Sequence, residues 1–260
     1  MREYMKEMLK RKDLISYLVK SGLKAEHRNS YLGYFWWLLD PLLNVLVYYF
    51  LVVIILHRGS DEFNYGVFLV IGLVAWRWIS TTFNSSAKAI TRYSSIINQV
   101  YLPKAMFPLT TTLTQMVNFS FGLIVVAIFL AFNNVIPGWH IVYLPVIIIV
   151  QLLLLMAVSM FVSYVCVFVR DIDNVINHVV RVMFYASPII WEGGRLPAEY
   201  QWVVAMNPVA IVINSYRDIL MFHRTPDLSG LLMIGIVSLG IVVLLTWYYS
   251  KNEHKIIKAL

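Results

Sequence analysis

Charge is scarce in this 260-residue chain: 13% of its residues are Asp, Glu, Lys or Arg, where a soluble domain carries about 25%. Cysteine is nearly absent. The single one, Cys166, lies within an apolar run, so no disulfide can form inside the chain. No G-x-x-x-x-G-K-[ST] phosphate loop occurs, and the Gly193-Gly194 pair lacks the rest of such a motif. The six histidines are scattered, with no His/Cys cluster at metal-binding spacing. These absences exclude a nucleotide-hydrolysing domain and a disulfide-stapled fold, and they argue against catalysis by this chain alone. The first 30 residues are basic and hold no apolar core, so no cleavable signal is expected.

What is present is apolar bulk: 60% hydrophobic residues and a mean hydropathy of +0.71. Crossing a bilayer takes about 20 mostly apolar residues, because only a helix bonded within itself can hide its amides from lipid. Six segments are read as spans, at about 31–56, 66–88, 106–132, 141–169, 174–191 and 228–250. The third, fourth and sixth contain no Asp, Glu, Lys or Arg. Of the 21 Lys and Arg, eight precede the first span, and Lys88, Arg92 and Lys104 lie between the second and third. Arg170 lies between the fourth and fifth, and Lys251, Lys255 and Lys258 are in the tail. The other side holds only Arg58, Arg195, Arg217 and Arg224. This asymmetry predicts that both termini are cytoplasmic. The pI near 9.4 then reports topology and not a nucleic-acid partner.

Three segments are expected not to span. Residues 13–28 place Leu14, Leu18 and Ala25 near one face with Lys20, Lys24 and Arg28 elsewhere, the pattern of an amphipathic helix in the cytoplasmic interface. Residues 92–105 put Ile96, Ile97, Val100, Tyr101 and Leu102 in a cytoplasmic connection stopped by Pro103. They read either as a solvated loop or as a docking surface. Residues 196–222 contain two apolar pieces too short to cross, split at Asn207-Pro208, which predicts a helix–break–helix hairpin.

Charges inside a membrane are costly and tend to be functional. Asp40, Arg77 and Arg181 fall within the expected spans. Asp40 and Arg77 read equally as structural groups, wetted, snorkelling or paired. Arg181 lies mid-span, where a cation suits an anionic substrate. Aromatics make up 15% of the chain, and most fit an interfacial belt. Tyr48, Tyr49, Phe184 and Tyr185 lie deeper, where aromatic faces can hold a sugar polymer weakly. The stretch "FVRDIDN" at 168–174 sets three charges between two apolar runs. It reads as a tight cytoplasmic turn in which Asp171 or Asp173 caps the next helix.

Three blocks, "NSYLGYFWWLLDPLLNVLVYYF" at 29–50, "FVRDIDNVINHVVRVMFYASPIIW" at 168–191 and "NPVAIVINSYRDIL" at 207–220, resemble the permease subunit of type-2 ABC exporters. Such exporters move polysaccharides and polyol-phosphate polymers, and the resemblance covers nearly the whole chain. Tyr31-Leu32-Gly33, Ala87-Lys88-Ala89-Ile90 and Ser215-Tyr216-Arg217 look most like the teichoic acid branch, with O-antigen exporters as near neighbours. The resemblance implies an all-α membrane domain of residues 1–260, acting as a homodimer with two copies of a cytoplasmic ATPase that binds ATP and magnesium. It implies an interfacial helix at 13–28, a coupling helix at about 93–103 and an outer gate hairpin at about 196–222. Its polymer path would take in Phe35, Trp36, Tyr48, Tyr49, Arg181, Phe184 and Tyr185. Lys20, Lys24 and Arg28 would recruit the head group of a lipid-linked anionic polymer at the inner leaflet. Ile96, Ile97, Val100, Tyr101, Leu102, Arg170 and Asp171 would face the ATPase, and Asn207, Pro208, Tyr216 and Arg217 the outer gate. Two other classes compete. An ion-coupled transporter would show inverted repeats, and a membrane-embedded lipid enzyme would need a clustered His/Asp/Glu site; neither pattern is visible.

Overall fold

The computed structural model describes residues 2–27, 31–55, 64–97, 99–169, 171–195 and 197–260. Every regular element among them is helical. Two helices open the chain, α1 (Arg2–Lys10) and α2 (Lys12–His27), followed by α3 (Trp36–Tyr49), whose last turns widen to a π-helix at Phe50–Ile55. Next come α4 (Tyr65–Ser86), the short α5 (Ser94–Ile97), α6 (Met106–Phe132) and α7 (Leu144–Phe168). The remainder comprises α8 (Ile172–Ala186), α9 (Gln201–Ala205), α10 (Pro208–Leu220) and α11 (Leu228–Ala259). Among the described residues five helical stretches are long and apolar enough to cross a bilayer: Trp36–Ile55, Tyr65–Ser86, Met106–Phe132, Trp139–Phe168 and Leu228–Ala259.

The centre of the bundle is α4, buried without a break from Tyr65 to Trp76 and touching α3, α6, α7, α8 and α10. Lipid tails are as apolar as leucine, so helices in a bilayer associate by close packing and hydrogen bonds. Both are visible. Gly122 of α6 faces Val74, whose methyl group stands 2.7 Å from where a Cβ would be. Ser86 Oγ donates to Ser159 Oγ at 2.7 Å, and Gln151 Nε2 donates to the Ala75 carbonyl at 3.2 Å.

Both termini lie at one end. Tyr4 and Met8 of α1, Leu18 of α2, Leu102, Phe107, Met160 of α7 and Tyr249 and Ile256 of α11 form one buried cluster there. Most of the lysines lie at this basic end. At the other, far end, Asn64 caps α4 by accepting from the Val67 amide at 3.2 Å and donates to Asn133 at 2.6 Å.

The segment expected as a fifth span differs. Its helix α8 has 15 residues, about 22 Å at 1.5 Å per residue, against the roughly 30 Å of a hydrocarbon core. The Ser187-Pro188 pair ends it, since Ser187 is extended (ψ 148°) and the residue before a proline is held out of the α region. The chain still runs the length of α4: Asp173 pairs with Lys88 beyond the C-terminus of α4, and the Ile190 carbonyl accepts from Tyr65 at its N-terminus. A short helix and a bent four-residue stretch therefore cover the distance that α4 covers with 22 residues.

Two further elements differ from expectation. The helix expected at 13–28 is present as α2 (Lys12–His27), but a further helix, α1, precedes it from Arg2, and α2 packs along α6. In place of the coupling helix expected at 93–103, this stretch holds a 3-10 turn ending at Tyr93, the four-residue α5 and, over 99–103, irregular chain. Its Ser and β-branched residues are weak helix formers.

Candidate functional site

The face of α8 turned away from α4 is polar. Ile176, Val180 and Phe184 are buried against the bundle, whereas Asn174, Asn177, His178, Arg181 and Tyr185 are exposed. At 100° per residue these five fall in one stripe. Val175, Val179 and Val182 form a second exposed face, apolar. Arg181 makes no ion pair among the described residues.

Beside α8, a groove separates α3 from α4. Arg77 Nη2 donates to Asp40 Oδ2 at 2.7 Å across it, so two of the intramembrane charges answer one another. On the α8 side a cleft of about 240 Å³ is lined by Asn44, Tyr48, Trp76, Arg77, Ser80 and Phe184. Tyr48 and Trp76 each lie 5.6 Å from the Phe184 ring. Phe184 is thus a buried wall of the cleft, and Tyr185, 64% exposed, is the aromatic on the open face. Phe35 is exposed just before α3 and lines neither cleft, and Trp36 lines the basic-end part of the groove. Tyr49 turns to α4, packing over Gly66.

At the far end, Asn207 caps α10, accepting from the Val209 amide at 2.9 Å, with Pro208 in the first turn where its missing N–H costs nothing. Its amide donates to Ser187 Oγ at 2.9 Å, joining the hairpin to the end of α8. Tyr216 donates to Gln151 at 2.7 Å. Arg217 is fully buried, over the Phe68 ring at 3.4 Å. Its guanidinium donates to the carbonyls of Phe68 (3.3 Å), Pro188 (2.5 Å) and Ile189 (2.7 Å). Gly72 makes room for it, since a Cβ there would run into the guanidinium. Tyr216 and Arg217 therefore fasten the hairpin to the bundle from inside.

At the basic end, Glu253 of α11 clasps the connection after α5. Its Oε2 accepts from Tyr101 Oη at 2.7 Å, and its Oε1 from the Lys104 amide at 3.1 Å. Tyr4 Oη accepts from the Ala105 amide at 3.1 Å. Lys104 is wholly buried, with Nζ 5.0 Å from the Tyr101 ring and no hydrogen bond. Burial pulls this ammonium below the usual lysine range, against the pull of Glu253. Burial, and then the hydrogen bond to Glu253, push Tyr101 up to about 12. Ile97 and Leu102 are buried in the cluster, leaving Ile96, Val100 and Tyr101 on the surface.

Asp171 is itself helical and makes no side-chain cap to α8; Asp173, in the first turn, pairs with Lys88 at 2.9 Å. Lys20 and Lys24, one turn apart on α2, flank a shallow cleft with Leu23 and Trp37. Arg28 and Arg170 lie outside the described residues. Reasoning from sequence passed over Glu253, Tyr4 and the Lys88–Asp173 pair. On sequence Lys104 reads as a topological cation and Lys88 as one within the Ala87–Ile90 block, and nothing in local sequence reveals partners so distant along the chain as Asp173 and Glu253.

The described residues thus form a helical bundle with membrane-length helices and a polar-striped helix beside a groove, and similarity to known proteins gives the family. The chain matches the ABC-2 type transporter family over residues 13–221 and belongs to it. It is similar to the O-antigen export system permease protein RfbA of Myxococcus xanthus, 29% identical over 248 residues, covering 94% of this chain and 93% of that one. Two proteins of that name from Klebsiella pneumoniae are 29% and 27% identical over 210 residues, 80% of each chain. The chain is thus a multi-pass integral membrane permease.

Proposed function

We propose that this chain is the transmembrane subunit of an ATP-driven exporter that moves a lipid-linked cell-envelope polysaccharide across the bacterial inner membrane, with both termini cytoplasmic. The observation that carries this reading is near full-length similarity to permeases named for O-antigen export. It favours an O-antigen-type polysaccharide over the teichoic acid suggested by the short sequence blocks, because the three relatives compared are all named for O-antigen export.

In this reading the polar stripe of α8 and the groove beside α3 form half of the path, and a second copy supplies the other half. The sixth crossing is α8 with residues 187–190. The polymer passes Asn177, Arg181 and Tyr185, whose amide, guanidinium and phenol exchange hydrogen bonds with hydroxyls as the chain advances. Lys20, Lys24 and Arg28 draw the anionic head of the lipid carrier to the inner leaflet, where each cation near the surface contributes about 1 kcal/mol. ATP and magnesium are bound by two copies of a partner ATPase, since this chain has no phosphate loop. The ATPase docks on Ile96, Val100 and Tyr101. Its closure moves the clasped connection and, through Lys88–Asp173, the N-terminus of α8.

The test is reconstitution with the cognate ATPase in vesicles and measurement of ATPase stimulation by lipid-linked polysaccharide. Stimulation is expected, and replacing Lys20, Lys24 and Arg28 together by Gln should weaken it. A complex that forms no contact with an ABC ATPase would refute the reading.

A further inference from the structure

The groove between α3 and α4 has a second cleft at its basic end, distinct from the cleft walled by α8. It measures about 340 Å³, within the roughly 300–1,000 Å³ of small-molecule clefts. Its third wall is α6 and not α8. Trp36 and Trp37 stand on one side, and Asn84, Gln115 and Asn118 on the others, with Asp40 and Arg77 at the inner limit. Asp40 takes one donor of the Arg77 guanidinium, which makes no other side-chain bond among the described residues. Asn118 donates to Gln115 at 3.2 Å, so part of this polar lining is already paired; planar amides, a guanidinium and two indoles around one space remain an odd lining for a contact with lipid, where polar groups are costly. They suit a ring with hydroxyls at its edge and C–H groups on its faces.

The cleft is also placed where a glycolipid head would arrive. Trp37 is shared with the shallow cleft of Lys20 and Lys24 on α2. Two cations at the mouth, indoles next and amides within are the order of a lipid-linked glycan read from its phosphate inward. On the far side of Arg77 the groove continues into the cleft walled by α8, for Pro41, Val74, Arg77 and Thr81 line both.

We propose that the cleft between α3, α4 and α6 is a saccharide-binding subsite, holding a sugar unit of the substrate at inner-leaflet depth before it reaches α8. The Asp40–Arg77 pair bounds the subsite and separates it from the path. This proposal rests on the exporter reading for its biological substrate, but not for its test. The full chain in lipid nanodiscs is titrated with trisaccharides of hexose, 6-deoxyhexose and amino-sugar type, with a glycerol-phosphate trimer and with poly(ethylene glycol) of equal mass, following tryptophan fluorescence. At least one trisaccharide should give a saturable change. Trp36→Ala and Asn84→Ala should each weaken it by roughly tenfold, a loss of about 1.4 kcal/mol. Trp36→Phe, which keeps an aromatic face, should bind within about threefold of the parent. Asn84 is exposed, so its replacement tests binding without disturbing packing. Three results overturn the proposal: no trisaccharide binding, equal responses to sugar and polyether, or binding of glycerol phosphate alone. If the sugar binds and no ATPase partner associates, the exporter reading fails and the subsite stands.

Discussion

Single residues at the two ends of the molecule do opposite things with a buried cation. Arg217 is buried and answered by three carbonyls, one of them from α4 and two from the stretch after α8. A guanidinium fork reaches several acceptors at once, where an ammonium is a single point of charge. Arg217→Lys should therefore lower stability by about 3–6 kcal/mol, the scale of two charge-assisted hydrogen bonds, seen as a fall in the thermal midpoint in nanodiscs. Lys104 is the contrary case, buried with an aromatic ring and a nearby carboxylate but no hydrogen-bond acceptor for Nζ. Because its folded pKa is lowered, the unfolded chain binds more protons in the window just below the ordinary lysine value, so stability rises with pH there. Lys104→Met should raise stability at pH 7 by about 1 kcal/mol, and the gain should shrink as pH climbs toward 10. A gain that does not change with pH would exclude titration of Lys104 as its source.

Elements show which parts of the molecule could be read from sequence. Long uncharged runs marked α6 and α7 closely, and the start of α11, because about twenty apolar residues are the length of a crossing; the charged continuation of α11 to Ala259 carries no such signal. Asn207-Pro208 marked a break because a cap residue followed by proline starts a helix wherever it occurs. The length of α8 was hidden, since hydropathy continues past Ser187-Pro188 although the helix does not. The clasp at the basic end was hidden as well, because Tyr4, Tyr101 and Glu253 are ordinary surface residues until three distant segments meet. That clasp holds the last part of α11, where Asn252 leaves the helical region (φ −112°) beside Glu253. Glu253→Ala should loosen the tail, and trypsin should then cut at Lys251, Lys255 or Lys258 roughly threefold faster or more, as local opening becomes easier. Glu253→Gln keeps an acceptor for Tyr101 and should fall between the two. Equal cleavage of all three proteins would mean that the clasp carries no stability of its own.

For the whole molecule, the decisive asymmetry lies between the two exposed faces of α8. Five polar side chains on one and three valines on the other cannot both face lipid, for a stripe with Arg181 at its centre is costly in hydrocarbon. If the polar stripe lines an aqueous path closed by a second copy, it is wet, and the valine face is covered by protein or lipid. The sequence holds one cysteine, and it is buried, so a Cys166→Ala background allows single cysteines to be placed along the helix. Cysteine at 174, 177, 181 or 185 should react with a membrane-impermeant maleimide in reconstituted vesicles, and cysteine at 175, 179 or 182 should react roughly tenfold more slowly or not at all, since only thiolate in contact with water reacts well. The period matters more than any one site: reactivity should rise and fall every three to four residues. Uniform labelling of both faces would make α8 a surface helix at the interface, and uniform protection would bury the stripe against protein. Either result removes α8 from the path and leaves the groove beside α3 without its open wall.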